Sequence, residues 1–160
     1  MDNSKQAGLL GYIAGFFDGE GNIGSGMNSG KTRNSFFLKL SFSQNNHKFL
    51  EELRDDIEFD LGIETGKVQV HSSRYNKLSS KDSYSLSFQG GKAYRLACLI
   101  RPYSKLKTDY LQWIIDTWEG RWNSNGTHNR EFLQQQHDNR PGRRAAATTK
   151  RKDSQKWEMQ

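Results

Sequence analysis

Hydrophobic and polar positions along this 160-residue chain change period several times, and each change marks an element. In AGLLGYIAGFFDG the apolar residues Leu9, Ile13 and Phe16 or Phe17, with Tyr12, recur at helical spacing and predict a helix from about Ala7 to Asp18. After Gly21 the period falls to two. Ile23, Ser25 and Met27 alternate with Asn22, Gly24, Gly26 and Asn28. In FFLKLSFSQ, Leu38, Leu40 and Phe42 oppose Phe37, Lys39, Ser41 and Ser43. Two strands joined through NSGKTRN follow from this. FLEELRDDIEFDLG is helical, with Phe49, Leu50, Leu53 and Ile57 on one side and its acids on the other. A second hairpin places Val68 and Val70 inside in KVQVHS, and Tyr84, Leu86 and Phe88 inside in SYSLSFQ. KAYRLACLIRPY and TDYLQWIIDTWEGRW then read as two helices separated by Pro102 and SKLK. The order α-ββ-α-ββ-α-α predicts an α+β domain with one antiparallel sheet.

Composition adds bounds to this pattern. A length of 160 residues suits a single domain. Mean hydropathy of -0.93 is low, but 12% aromatic residues argue for a real core. No apolar run approaches the ~20 residues needed to span a bilayer, and the N-terminus has no signal-peptide pattern, so a soluble protein with no membrane partner is expected. The single cysteine, Cys98 in RLACLI, excludes an internal disulfide framework and a cysteine metal cluster; a small buried core residue in a reducing or neutral compartment is the expectation.

The formal charge is +6, and its distribution is uneven. From Arg121 to Gln160 there are nine Lys/Arg and four Asp/Glu, whereas the preceding residues hold 15 basic and 14 acidic side chains, seven of the acids lying between Glu51 and Glu64. With QQQ and RPGRRAAATTKRK, the tail reads as a basic extension over residues 123–160, partly flexible, behind a domain over residues 1–122. An anionic partner suits the rest of the chain.

GEGNIG fits the pattern G-x-G-x-x-G, which raises a nucleotide cradle as a first idea. A dinucleotide site needs a strand before the glycines and a helix after them, so that the helix N-terminus meets the pyrophosphate. Here a helix precedes and a strand follows. A kinase-type loop fails as well, because no HRD or DFG segment follows. No small-molecule cofactor is therefore expected.

The outward sheet positions carry the next constraint. They comprise Asn28, Lys39, Ser41, Ser43, Lys67, Gln69, His71, Ser83, Ser85, Ser87 and Gln89, with Arg33, Arg74 and Lys77 near the turns. Acids are nearly absent. Asn and Gln read adenine edges, Lys and Arg guanine edges, and Ser either, so this face suits a groove of double-stranded DNA.

IAGFFDGEG, Ile13 to Gly21, resembles the nine-residue signature of the LAGLIDADG homing endonucleases, with Ala14, Gly15, Asp18, Glu20 and Gly21 in register. The order of elements is also similar, over about Gly8 to Trp118, and the tail beyond Trp122 has no counterpart in the match. The resemblance implies that signature helices from two chains pack about a two-fold axis through Gly11, Ala14, Gly15 and Asp18. Only one signature is present: WIIDTWEG lacks the Ala-Gly pair and spaces Asp116 and Glu119 one residue too far apart. A homodimer on a roughly palindromic site is the consequence. A glycine face unpaired with a second helix would cost ~1 kcal/mol at each interior glycine, so close helix approach also explains Gly11, Gly15 and Gly19.

The resemblance further implies a metal-dependent endonuclease that makes a double-strand break, with Glu20 and the Gly19 carbonyl as ligands of Mg²⁺ or another divalent cation. Carboxylate-held metals suit phosphodiester hydrolysis because they activate water and neutralise charge on the phosphorane. Gln44 matches a residue that orders water, and Lys107 one that stabilises charge at the scissile phosphate; Lys105, His47 and Lys48 are further cations near these positions. Asp18 matches an acid that braces helix ends. An intracellular setting, an organelle such as the mitochondrion, comes with the resemblance. Two rivals share the fold: an RNA maturase that assists intron splicing, and a DNA-binding protein without catalysis.

Overall fold

The computed structural model describes residues 3–30, 33–71 and 82–143, apart from the side chains of 28–30 and 33–35. Helix α1 (Asn3–Glu20) leads into strands β1 (Gly21–Gly30) and β2 (Arg33–Gln44), then α2 (His47–Leu61), β3 (Gln69–His71), β4 (Ser83–Gln89) and α3 (Gly91–Ile100). A 3-10 turn at Arg101–Tyr103 precedes α4 (Thr108–Glu119), and a further helix, α5, spans Arg130–Asp138. The four strands form one antiparallel sheet in the order β1-β2-β4-β3. The predicted α+β class and its element order are both found. No helix of the described residues is long and apolar enough to cross a membrane.

The helices cover one sheet face, because each offers an apolar stripe to it. Leu10, Ile13, Ala14 and Phe17 of α1, at i, i+3, i+4 and i+7, are buried against Ile23, Leu38, Leu40, Phe42, Leu86 and Phe88 of the sheet. Phe42 sits at the centre of this layer, stacked on Phe16 at 5.6 Å and edge-on to Phe17 and Phe88. Helix α2 begins where the Asn46 side chain accepts from Phe49 N and ends at Gly62, whose φ of 62° only glycine adopts without strain.

Several sequence expectations need correction. The first helix runs two residues past Asp18, to Glu20, and four residues earlier than Ala7. The first hairpin leaves only residues 31–32 between its strands, not the longer NSGKTRN loop, since pairing continues to Gly30↔Arg33. Val70 is 57% exposed: β3 is a three-residue edge strand, and only Val68 before it reaches the core. Cys98 is exposed rather than buried, because the buried stripe of α3, Ala93, Leu96, Ala97 and Ile100, leaves position 98 on the opposite side of the helix.

The largest difference lies in the basic extension. Its first part is folded: Asn129 caps α5 by accepting from Phe132 N, Leu133 is fully buried, and Trp113 Nε1 donates to the Gln136 carbonyl at 3.0 Å. Thr117 Oγ1 bonds Gln136 Oε1, and His137 Nδ1 meets Ser25 Oγ at 2.9 Å. These bonds hold α5 across the end of α4 and against β1. Residues 144–160 lie outside the described residues.

Candidate nucleic-acid interface and active site

The signature turn ends α1 and starts β1 with no intervening loop. A Cβ on Gly21 would lie 2.5 Å from the Phe17 carbonyl oxygen and would also strike the Phe17 ring. Only glycine fits where the strand leaves the helix this tightly. Three residues earlier, the Asp18 carboxylate accepts from Ser104 Oγ at 2.5 Å, Lys105 N at 2.7 Å, Lys107 N at 3.0 Å and Leu106 N at 3.1 Å. It ties the loop before α4 to the end of α1, the bracing role expected of it. Burial alone pushes this carboxyl up, but the Ser104 hydroxyl and the three backbone donors more than offset it, and it lies below the usual carboxylate range.

This brace brings Lys107 to the turn. Its ammonium donates to the Gly21 carbonyl at 2.7 Å and to the Gly19 carbonyl at 3.3 Å, with the rings of Phe17 and Tyr110 at 5.8 and 5.9 Å. Glu20 stands between those carbonyls in sequence, exposed, with no hydrogen bond or ion pair among the described residues. In β2, Gln44 lies two residues beyond Phe42, the partner of Gly21, and so at the same sheet end as Glu20. Its Oε1 accepts from Asn45 N at 2.7 Å, which leaves the amide NH₂ as its unused donor. The other cations are differently engaged. His47 and Lys48 pair with Glu51 and Glu52 along α2, at 3.5 and 3.7 Å, and Lys105 has an exposed side chain.

Glu20 and the Gly19 carbonyl offer hard oxygen donors, the chemistry that Mg²⁺ or Ca²⁺ accepts, so the residues present fit such an ion. Among the described residues no three His, Cys, Asp or Glu side chains cluster as a metal site.

The other sheet face carries the expected polar residues. Cross-strand register places Lys39 beside Gln89, Ser41 beside Ser87, Ser43 and Gln69 on either side of Ser85, and His71 beside Ser83. His71 Nε2 bonds Ser85 Oγ at 2.8 Å. No strand residue is acidic. Lys67 borders this face, lining one cleft with Gln69, Ser87 and Gln89 and another with acids of α2. Ser41 and Ser85, expected to face outward, are only 6% and 7% exposed, and their hydroxyls are engaged, that of Ser41 donating to the Asn22 carbonyl and that of Ser85 bonded to His71. Asn28 and Arg33 lie on strand backbone, but their side chains, like Arg74 and Lys77 altogether, lie outside the described residues.

Along α1, a Cβ on Gly8, Gly15 or Gly19 would meet nothing, and one on Gly11 would meet only Tyr103 at 3.9 Å. This glycine face is open, flanked by Tyr12 at 50% exposure. Ala14 points the other way and is fully buried in the chain's own core, so its surface is already used.

Sequence reasoning did not anticipate Arg140. Its Nη1 reaches within 3.9 Å of where a Gly24 side chain would begin, beside Lys39, adding a cation at the sheet edge. No local pattern signals this, since α5 delivers the residue from 116 positions away along the chain.

No protein-family model matches the sequence, and no curated protein matches it. Solved structures do. The homing endonuclease I-CvuI, in complex with an I-CreI target in 2 mM Mg with the DNA not cleaved, aligns at a TM-score of 0.58 and 17% identity, over 84% of this chain and 78% of that one. The LAGLIDADG homing endonuclease I-GzeII, in complex with a DNA target, aligns at 0.58 and 11% identity, over 82% of this chain and 44% of that one. The LAGLIDADG meganuclease I-AabMI, bound to uncleaved DNA, aligns at 0.53 and 14%, over 81% and 45%. The chain has the LAGLIDADG homing-endonuclease fold, spanning most of I-CvuI and less than half of the other two.

Proposed function

We propose that this chain is a site-specific, divalent-metal-dependent DNA endonuclease, acting as a homodimer that makes a double-strand break at a long, pseudo-palindromic site of the kind used in intron homing. The observation that carries this reading is the cluster at the end of α1: an exposed, unpartnered Glu20 beside a backbone carbonyl that Lys107 already reaches, at the end of an acid-free sheet. Similar folds that hold DNA support it.

Glu20 and the Gly19 carbonyl would hold Mg²⁺ or a similar ion, which when bound supplies an activated water and neutralises charge on the phosphate. Lys107 holds a positive charge beside the same carbonyl, where it can move to a phosphate oxygen as negative charge develops. The free Gln44 amide donor orients water or phosphate at the same sheet end. Asp18 keeps the Lys107 backbone in place. One carboxylate per chain leaves the ion short of protein ligands, and the open Gly8/Gly15/Gly19 face is where a second α1 would bring a second Glu20. Lys39, Gln69, His71 and Gln89 on the sheet would read and hold the DNA, joined by Arg33 and by Arg74 and Lys77, which lie outside the described residues.

The test selects bound duplexes from a randomised library and then adds Mg²⁺. Wild type is expected to cut the selected sites, and Glu20→Gln to bind them with similar affinity while losing at least ~1,000-fold in cleavage rate. A binding-only protein is favoured by one contact, the Gln44 Oε1 bond to Asn45 N, and specific binding without cleavage by wild type would establish it. Selection of intron RNA in preference to duplex DNA would point instead to a maturase.

A further inference from the structure

At the sheet end away from Glu20, β2 outruns β4. The last pair is Lys39↔Gln89, whereas β2 starts at Arg33, so its first residues have β1 on one side only. Phe37 pairs with Gly26, five residues along β1 from Gly21 and roughly 16 Å up the strand from the signature turn. The segment after α4 folds over this open stretch, held by a bridge between Trp122 and His128. Together Phe37, Gln89, Trp118, Arg121, Trp122 and His128 line a cavity of about 370 Å³.

Its chemistry is unusual for a crevice at the end of a sheet. The Arg121 guanidinium carbon lies 3.5 Å from the Trp118 ring centroid and 5.4 Å from that of Trp122, and Arg121 donates to the Trp118 carbonyl. It has no carboxylate partner among the described residues, and no acid lines the cavity. Trp122 is 48% exposed and Phe37 37% exposed, so flat aromatic surface faces solvent. His128 packs edge-on to Trp122 at 4.2 Å, and its Nδ1 is buried without a hydrogen-bond partner among the described residues.

Aromatic platforms beside an unpaired planar cation form the combination that holds an unpaired base and its phosphate. The volume suits one nucleotide, since small-ligand sites start near ~300 Å³. We propose that this cavity takes one unpaired nucleotide of a strand leaving the sheet face, its base on Trp122 and Phe37 and its phosphate on Arg121. The proposal rests on the reading of the sheet as a nucleic-acid surface, because Phe37 and Gln89 belong to both.

The test measures fluorescence anisotropy of a labelled short oligothymidylate, a matching oligouridylate and a random-sequence duplex. Trp122→Ala and Arg121→Gln are expected to weaken binding of the single strands ~10-fold or more, and Trp122→Phe to restore it to within ~3-fold, with the melting temperature of all three near wild type. Tighter oligouridylate binding would identify RNA as the source of the nucleotide, and tighter oligothymidylate binding DNA. Wild type and Trp122→Ala binding single strands equally, or wild type binding duplex but neither single strand, overturns the proposal. If instead duplex binding is absent while single-strand binding depends on Trp122, the sheet reading fails and the cavity stands.

Discussion

At the residue scale, two positions in the signature turn are constrained by geometry rather than by chemistry. Gly21→Ala would drive a methyl group into the Phe17 carbonyl and ring, neither of which has room to retreat from the core. A loss of more than about 2 kcal/mol is expected, read as a lower denaturant midpoint at unchanged slope. Asp18 holds four donors in place, and Asp18→Asn is expected to cost about 2 kcal/mol near neutral pH. Its folded pKa lies below the unfolded value, so the carboxylate's contribution is complete above that unfolded value of about 3.9 and fades as pH falls through the folded one. Wild type and Asp18→Asn should therefore converge in stability below about pH 4, measured as melting temperature against pH. A constant gap down to pH 2 would mean that the carboxylate charge contributes nothing.

At the element scale, the first eight helices and strands were legible because each has its own period, and the shift from four to two marks the turn at Gly21. Helix α5 was not. Its segment REFLQQQHD contains only Phe132 and Leu133 as apolar residues, and its hold comes from partners far away in sequence, Trp113, Thr117 and Ser25. Val70 and Cys98 misled for a related reason: alternation and apolar neighbours show which residues could be buried, not whether another element arrives to cover them. The docking of α5 should respond to pH. Burial, followed by the cations Arg143 and Arg140, holds the His137 imidazole below its ordinary pKa, against the opposing pull of Asp138. The unfolded chain then binds the proton more readily, so the stabilisation is full above about pH 6.5 and is lost as pH falls below it. Amide exchange of Arg130–Asp138, corrected for intrinsic rate, is expected to speed up between pH 7.5 and 5.5, while that of α1 stays unchanged. Equal protection at both pH values would refute a titrating anchor.

At the scale of the whole molecule, the open glycine face makes a test of assembly that folding does not confound. A methyl group at Gly15 meets nothing within the chain, so Gly15→Ala should stabilise an isolated monomer by ~1 kcal/mol through helix propensity. Gly15→Leu should leave the circular dichroism spectrum intact yet give a monomer in sedimentation and abolish double-strand cleavage. A dimer surviving Gly15→Leu would place the interface elsewhere. The local part of the candidate site, Glu20 and Asp18, stands in the signature itself. Lys107 was named only through the resemblance, since nothing in its own surroundings marks it, and the folded chain adds the contact, 88 residues away along the sequence, that brings it to the turn. The helical turn that carries both acids also divides their burdens. Asp18 is bound into the fold, and Glu20 makes no hydrogen bond or ion pair among the described residues. If the proposed endonuclease reading holds, a lineage of this protein could therefore shed cleavage in a single substitution and keep its shape and its hold on nucleic acid, leaving an inert protein free to be put to another use.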